Sequence, residues 1–156
     1  MPPSMGVFCM EALEILLRNV INLDPNEVMN EFISQGVVEK FILDLEKERL
    51  FTFGEDSRGK TLGQYSESTK QRKRVKGLPS GHITLFETGE FYDSFTLTLT
   101  GDGFILNANA KKSETNLFER YGNDILGLSD EDFEKFIEYS IDGLRQIILS
   151  KIFEGL

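Results

Sequence analysis

The chain is poor in the residues that build metal centres and disulfide frameworks. It has one cysteine, Cys9, which excludes an internal disulfide and a cysteine-rich zinc site. It has one histidine, His82, which excludes a multi-histidine metal site. Tryptophan is absent, so the 13 phenylalanines must fill much of any core. No apolar run approaches the roughly 18 residues that argue for a membrane span. Nothing before Arg18 is basic, and Glu11 and Glu14 interrupt the first apolar stretch, so no secretory leader is expected. These shortages predict a soluble chain in a reducing compartment, with no cofactor, no metal and no membrane partner.

What remains suits one domain. The 156 residues are 40% apolar and 28% charged, enough to bury a core and too apolar for bulk disorder. The net charge is −9, which repels polyanions unless the charge is segregated. It is segregated. Arg58, Lys60, Lys70, Arg72, Lys73, Arg74 and Lys76 are seven of the 17 basic residues, and only Glu67 opposes them, so this window is +6 against −15 elsewhere.

The pattern predicts an α+β domain over residues 1–156. Pro2, Pro3 and Gly6 suggest a loose start. Two helices are expected over 10–50. The second starts at the capping-box pattern Asp24-Pro25-Asn26-Glu27, runs through Gly36, and ends in the charged, solvated turn Glu46-Lys47-Glu48-Arg49. Residues 54–81, punctuated by glycine and carrying the basic window, read as a long projecting loop with one helical turn around Ser68–Lys73. Strands are expected over 82–108. His82–Phe86 alternates, and Phe95–Thr100 places Phe95, Leu97 and Leu99 opposite Thr96, Thr98 and Thr100. Gly101-Asp102-Gly103 then turns the chain into Phe104–Ala108 as an antiparallel hairpin. A C-terminal amphipathic helix over 129–153 packs on the sheet, capped by Ser129. Its apolar stripe is Phe133, Phe136, Ile137, Ile141, Leu144, Ile148 and Ile152, read as core, with Gly143 permitting close packing.

No residue constellation points to catalysis, and the chain reads as a non-enzyme. Cys9 lies on an apolar stretch and reads as a small buried hydrophobe. His82 reads as a loop-edge hydrogen-bonder, and Ser94 as a strand-entry serine outside any Gly-x-Ser-x-Gly elbow. Asp130-Glu131-Asp132 suits a helix dipole. Gly54, Gly59 and Gly63 are followed by no Gly-Lys-Ser/Thr, so they form no phosphate loop. The basic window, with Tyr65 as its one aromatic, lacks the interleaved rings of sequence-specific nucleic-acid readout. It suits head-to-tail self-association on a neighbour's acidic face, with Arg72, Lys73 and Arg74 in contact.

Three segments in order carry a resemblance: Tyr65-Ser66-Glu67-Ser68-Thr69-Lys70-Gln71-Arg72-Lys73; Phe86-Glu87-Thr88-Gly89-Glu90-Phe91-Tyr92-Asp93-Ser94-Phe95; and Phe118-Glu119-Arg120-Tyr121-Gly122 with Leu126-Gly127-Leu128-Ser129-Asp130-Glu131-Asp132. Together they resemble the virion-morphogenesis, or tail-completion, proteins of tailed bacteriophages of the Mu type and its relatives. Glu67 stands where that pattern favours proline, and Gly122-Asn123-Asp124 stands where a proline-rich lead enters the last helix. The resemblance implies a structural virion protein made in the bacterial cytoplasm. It would form a ring at the head–tail junction or tail end, through which DNA passes without sequence specificity. Its implied partners are itself and neighbouring neck, portal-adaptor or tail proteins. The interface candidates are Arg72, Lys73 and Arg74 in the basic window, and Glu87, Glu90 and Asp93 near the first strand turn. The alternative is an acidic cytoplasmic interaction module, an adaptor or immunity-type protein that masks a basic partner. A small enzyme with a dispersed Asp/Glu site is the third reading, and it requires a pocket holding perturbed carboxylates.

Overall fold

In the computed structural model, which describes residues 5–100, 103–112 and 115–156, three helices rather than two fill the N-terminal part. They are α1 (Met5–Ile21), α2 (Pro25–Ile33) and α3 (Gly36–Lys47). The chain is helical from Met5, so residues 5–9 are not the loose segment expected there, while Pro2 and Pro3 lie outside the described residues. Asp24 caps α2 as expected: its carboxylate accepts from the Asn26 N–H, and Pro25 occupies a first-turn position that needs no donor. The helix expected to run through Gly36 breaks before it. Gln35 is extended at ψ 124° and Gly36 opens α3. The break lets Val28, Phe32 and Ile33 of α2 meet Val38, Ile42 and Leu45 of α3 in one apolar cluster.

The charged run 46–49 is not a solvated turn. α3 continues into a wide π-turn, Glu48–Phe53, which brings Arg49, Leu50 and Phe51 inward together. Glu46 and Arg49 are buried, while Glu48 stays exposed. The π-turn ends on Gly54 at φ 68°, where a Cβ would lie 2.2 Å from the Ile83 carbonyl oxygen, so only glycine fits.

Residues 54–81 do not project. Leu62 N–H donates to the Gly54 carbonyl (2.8 Å), Ser57 N–H to Asp124 (2.7 Å) and Ile83 N–H to Gly63 (2.9 Å). The helical turn expected at 68–73 is a full helix, α4 (Glu67–Val75), whose cap Ser66 accepts from Thr69 N–H. His82–Phe86 forms no strand. Ile83, Thr84 and Leu85 are buried, and Leu85 at φ 54° ends the extended run.

The short helix α5 (Glu90–Asp93) leads into the expected hairpin, β1 (Thr96–Thr100) against β2 (Gly103–Asn107), paired from Thr96↔Asn107 to Thr100↔Gly103. Its expected turn residues Gly101 and Asp102 lie outside the described residues. Phe95 is buried and Leu97 half-buried, but Leu99 is exposed towards the tip. The two-residue strands β3 (Lys111–Lys112) and β4 (Thr115–Asn116) pair antiparallel before α6 (Leu117–Tyr121) and a 3-10 turn (Asn123–Ile125).

The last helix, α7 (Asp130–Ile152), starts as expected. Ser129 Oγ accepts from Asp132 N–H (3.1 Å), and the Asp132 carboxylate accepts from Ser129 N–H (3.3 Å). Phe136 meets Phe104 of β2 edge-on at 6.0 Å, which seats the helix on the hairpin and makes the fold α+β. Gly143 faces Phe32 as the expected close contact, since a Cβ there would lie 2.4 Å from the ring. The stripe is only partly core. Of its members Phe136 is buried and Leu144, Ile148 and Ile152 are partly buried, whereas Phe133, Ile137 and Ile141 are about half exposed; Ile147, outside the stripe, is buried.

A second apolar cluster holds Leu50, Phe51, Ile83, Leu85, Phe91, Phe95, Leu117 and Ile125, with Phe51 ringed by Phe86, Phe91, Tyr92 and Phe95. The α3–π junction feeds both clusters, Leu45 into the first and Leu50 into the second.

Candidate functional site

α4 supplies three of the interface candidates and the 86–94 turn the other three. The fold turns Lys73 inward, to 2% exposure. Its four-carbon stem crosses the cluster edge, and its amine donates to the Phe86 carbonyl and lies 4.8 Å from the centre of the Tyr65 ring. Lys73 is therefore not a surface contact, which corrects its assignment as one. Arg72 reaches Glu87 Oε1 at 3.5 Å, and Lys76 reaches the same oxygen at 3.3 Å. The structure thus joins Arg72, Lys73 and Glu87 within one subunit. Arg74, Glu90 and Asp93 remain exposed, with Glu90 accepting from Thr88 Oγ1 at 3.3 Å.

Arg72 and Lys73 line a cleft of about 310 Å³ with Tyr65, Thr69, Thr115, Arg120 and Tyr121. Burial pushes the Tyr65 phenol up, but hydrogen bonds with Thr84 and Lys73 outweigh it and hold the phenol below its ordinary value. Burial raises Tyr121. Arg120 lies 5.3 Å from the centre of the Tyr121 ring. The sequence assigned no site role to Thr69, Thr115, Arg120 or Tyr121. The one available signal was that Arg120-Tyr121 and Tyr65–Lys73 both fall in the segments that carry the resemblance.

Arg49 organises the other polar cluster. Its guanidinium donates to Asp132 (3.1 Å), Glu46 (2.7 Å) and the carbonyls of Glu55 (2.6 Å) and Gly127 (2.7 Å). One cation thus sits between two buried carboxylates. Burial raises Glu46 to about 7 against the pull of Arg49, and its Oε1 has no hydrogen-bond partner. Arg49 and Asp132 reach the wall of a groove of about 410 Å³, but Glu46 does not line it. This perturbed carboxylate is sealed behind its ion pair, and the cluster's chemistry is to clamp the π-turn to the start of α7.

The remaining candidates have local roles. His82 Nε2 is 2.9 Å from the Thr52 carbonyl oxygen, at a loop edge as expected. Ser94 Oγ donates to the Phe91 carbonyl and accepts from Asn109 N–H, just before β1. Cys9 lies in α1, and its side chain is outside the described residues. Asp130 and Glu131 are exposed on the first turn of α7, while Asp132 belongs to the Arg49 cluster. Among the described residues no cluster of His, Cys, Asp and Glu is placed to hold a metal, and no helix is long and apolar enough to cross a membrane.

Among the described residues two apolar surfaces are left without partners inside the chain. On α1, Met10, Leu13, Leu17, Val20 and Ile21 are each more than half exposed and recur at spacings of three and four. α1 is tied to the end of α7 through Asn19, whose amide donates to the Ile152 and Glu154 carbonyls at 2.9 and 3.0 Å. The second surface lies along the first half of α7. It is a groove of about 290 Å³ walled by Met29, Ile33, Phe104, Phe133, Ile137 and Ile141. The chain matches no family model, no curated protein and no solved structure.

Proposed function

We propose that the chain is a structural subunit of a tailed-phage particle, a neck or tail-completion protein that assembles head to tail into a ring around the DNA path. The observation that carries this reading is the pair of unlike apolar surfaces, the convex stripe of α1 and the concave groove between α2, β2 and α7. Two different patches on one subunit make a heterologous contact, which builds a ring when its repeated rotation closes and an open filament when it does not. The α1 stripe of one subunit seats in the groove of the next. Leu13 and Leu17 enter between Phe133, Ile137 and Ile141, and Arg18, the one basic residue on α1, meets the exposed carboxylates of Glu134 and Glu138 on the same helix, α7. The resemblance over roughly residues 65–150 supports the same role. Arg74, Glu90 and Asp93, exposed near the second cluster, then serve contacts to adjacent neck, portal-adaptor or tail proteins.

Sedimentation velocity on the purified full chain tests the assembly. The expected result is an oligomer of fixed size that Leu13→Glu with Leu17→Glu converts to monomer while helical circular dichroism is kept. A wild-type chain that stays monomeric at every concentration contradicts it. A second reading, the acidic interaction module, draws on the exposed Asp130, Glu134 and Glu138 of α7. It predicts a monomer that binds a basic peptide and releases it as salt is raised.

A further inference from the structure

We propose that the cleft between α4, the Leu85–Glu87 segment and α6 is a binding site for a phosphoryl group. Lys73 carries the proposal. Its side chain is 2% exposed, yet it forms part of the cleft wall. An ammonium has three donors, and among the described residues its partners are all neutral: the Phe86 carbonyl and the Tyr65 side chain, through both its hydroxyl and its ring face. A buried amine in this state calls for an anion. The surroundings match that demand. Arg120 lines the opposite side from α6, and the partner recorded for its guanidinium among the described residues is the Tyr121 ring. Arg72 enters from α4. Among the described residues Glu87 is the one carboxylate on the wall, and it already takes Arg72 and Lys76. Three basic side chains against one engaged carboxylate suit a dianionic phosphoryl group better than a single carboxylate. Tyr65 and Thr69 add hydroxyls on the α4 side, and Tyr121 and Thr115 on the α6 side. The volume, about 310 Å³, is that of a small-ligand site, and the tyrosine rings with Phe86 and Leu117 provide apolar wall beside the anion. This assignment is independent of self-assembly.

The phosphoryl group can belong to a small phosphorylated compound or to a nucleic-acid backbone, and calorimetric titration of the full chain separates the two. The probes are inorganic phosphate, adenosine monophosphate, an eight-residue oligothymidylate, and glutarate as the carboxylate control. Saturable binding of phosphate or the mononucleotide assigns a small compound, and binding of the oligonucleotide alone assigns a backbone phosphate. Either must fall at least tenfold in Arg120→Gln, an exposed position whose change leaves the melting temperature in place. Lys73→Met must weaken binding further, with circular dichroism checking that it folds. No saturable phosphate, mononucleotide or oligonucleotide binding, equal binding of glutarate, or full binding by Arg120→Gln overturns the assignment.

Discussion

Arg49 and Asp132, 83 residues apart in sequence, are joined by a buried hydrogen-bonded ion pair of 3.1 Å. The same guanidinium holds Glu46 and two carbonyls, so one side chain fastens α3, the π-turn, the 127 loop and the first turn of α7. Arg49→Ala leaves the buried Glu46 without its cation and the buried Asp132 with only Lys135, at 3.8 Å. It should destabilise the fold by about 3–5 kcal/mol, read as a lower urea midpoint. Arg49→Lys should recover little, because a point ammonium does not reproduce the forked geometry.

Glu46 makes stability depend on pH in an unusual direction. Its carboxyl ionises near 4.5 in the unfolded chain and near 7 in the folded one. Between those values the folded chain keeps a proton that the unfolded chain has released, so this group's contribution to stability falls as pH rises and is gone above about 7. The gap corresponds to about 3 kcal/mol. Urea titrations at pH 5 and pH 7.5 should show the loss, and Glu46→Gln should flatten it while keeping a hydrogen bond to Arg49.

Gly143→Ala tests the α2–α7 contact. The new methyl lies within 2.4 Å of the Phe32 ring, and that ring is itself buried. Overpacking of this kind costs about 1–3 kcal/mol. The melting temperature should drop, and Gly143→Ala with Phe32→Leu should recover part of it.

Within the basic window the structure separates one residue from its neighbours. Arg74→Glu changes an exposed side chain and should leave the melting temperature unchanged. Lys73→Glu buries a carboxylate against the Phe86 carbonyl and should destabilise by about 3 kcal/mol or more. Thermal melts of the two variants should differ accordingly.

Local signals in the sequence were reliable where the cause is local. The Asp24 and Ser129 caps, the 96–107 hairpin and the 130–152 helix each rest on a few adjacent residues, and each is present. Burial set by distant partners was not legible. Glu46-Lys47-Glu48-Arg49 looks like a solvated turn until Asp132 and the π-turn bring Arg49 inside. The glycines of 54–81 suggested a free loop, but Gly54 is required where the Ile83 carbonyl crosses it. Of the six interface candidates, Lys73 is turned inward and Arg72 with Glu87 is engaged within the chain. The sequence pattern could not separate these from Arg74, because charge alone does not say which face of α4 meets the body. The half-exposed Phe133, Ile137 and Ile141 followed a core-like spacing, and only the position of α2 and the hairpin shows where the core ends.

The central claim, a structural role in the virion, is tested most directly by quantitative mass spectrometry of density-purified phage particles from the source of this chain. The account predicts this polypeptide at a low, fixed copy number relative to the major capsid protein, as a single ring requires. Its absence from intact, tailed particles would contradict the account.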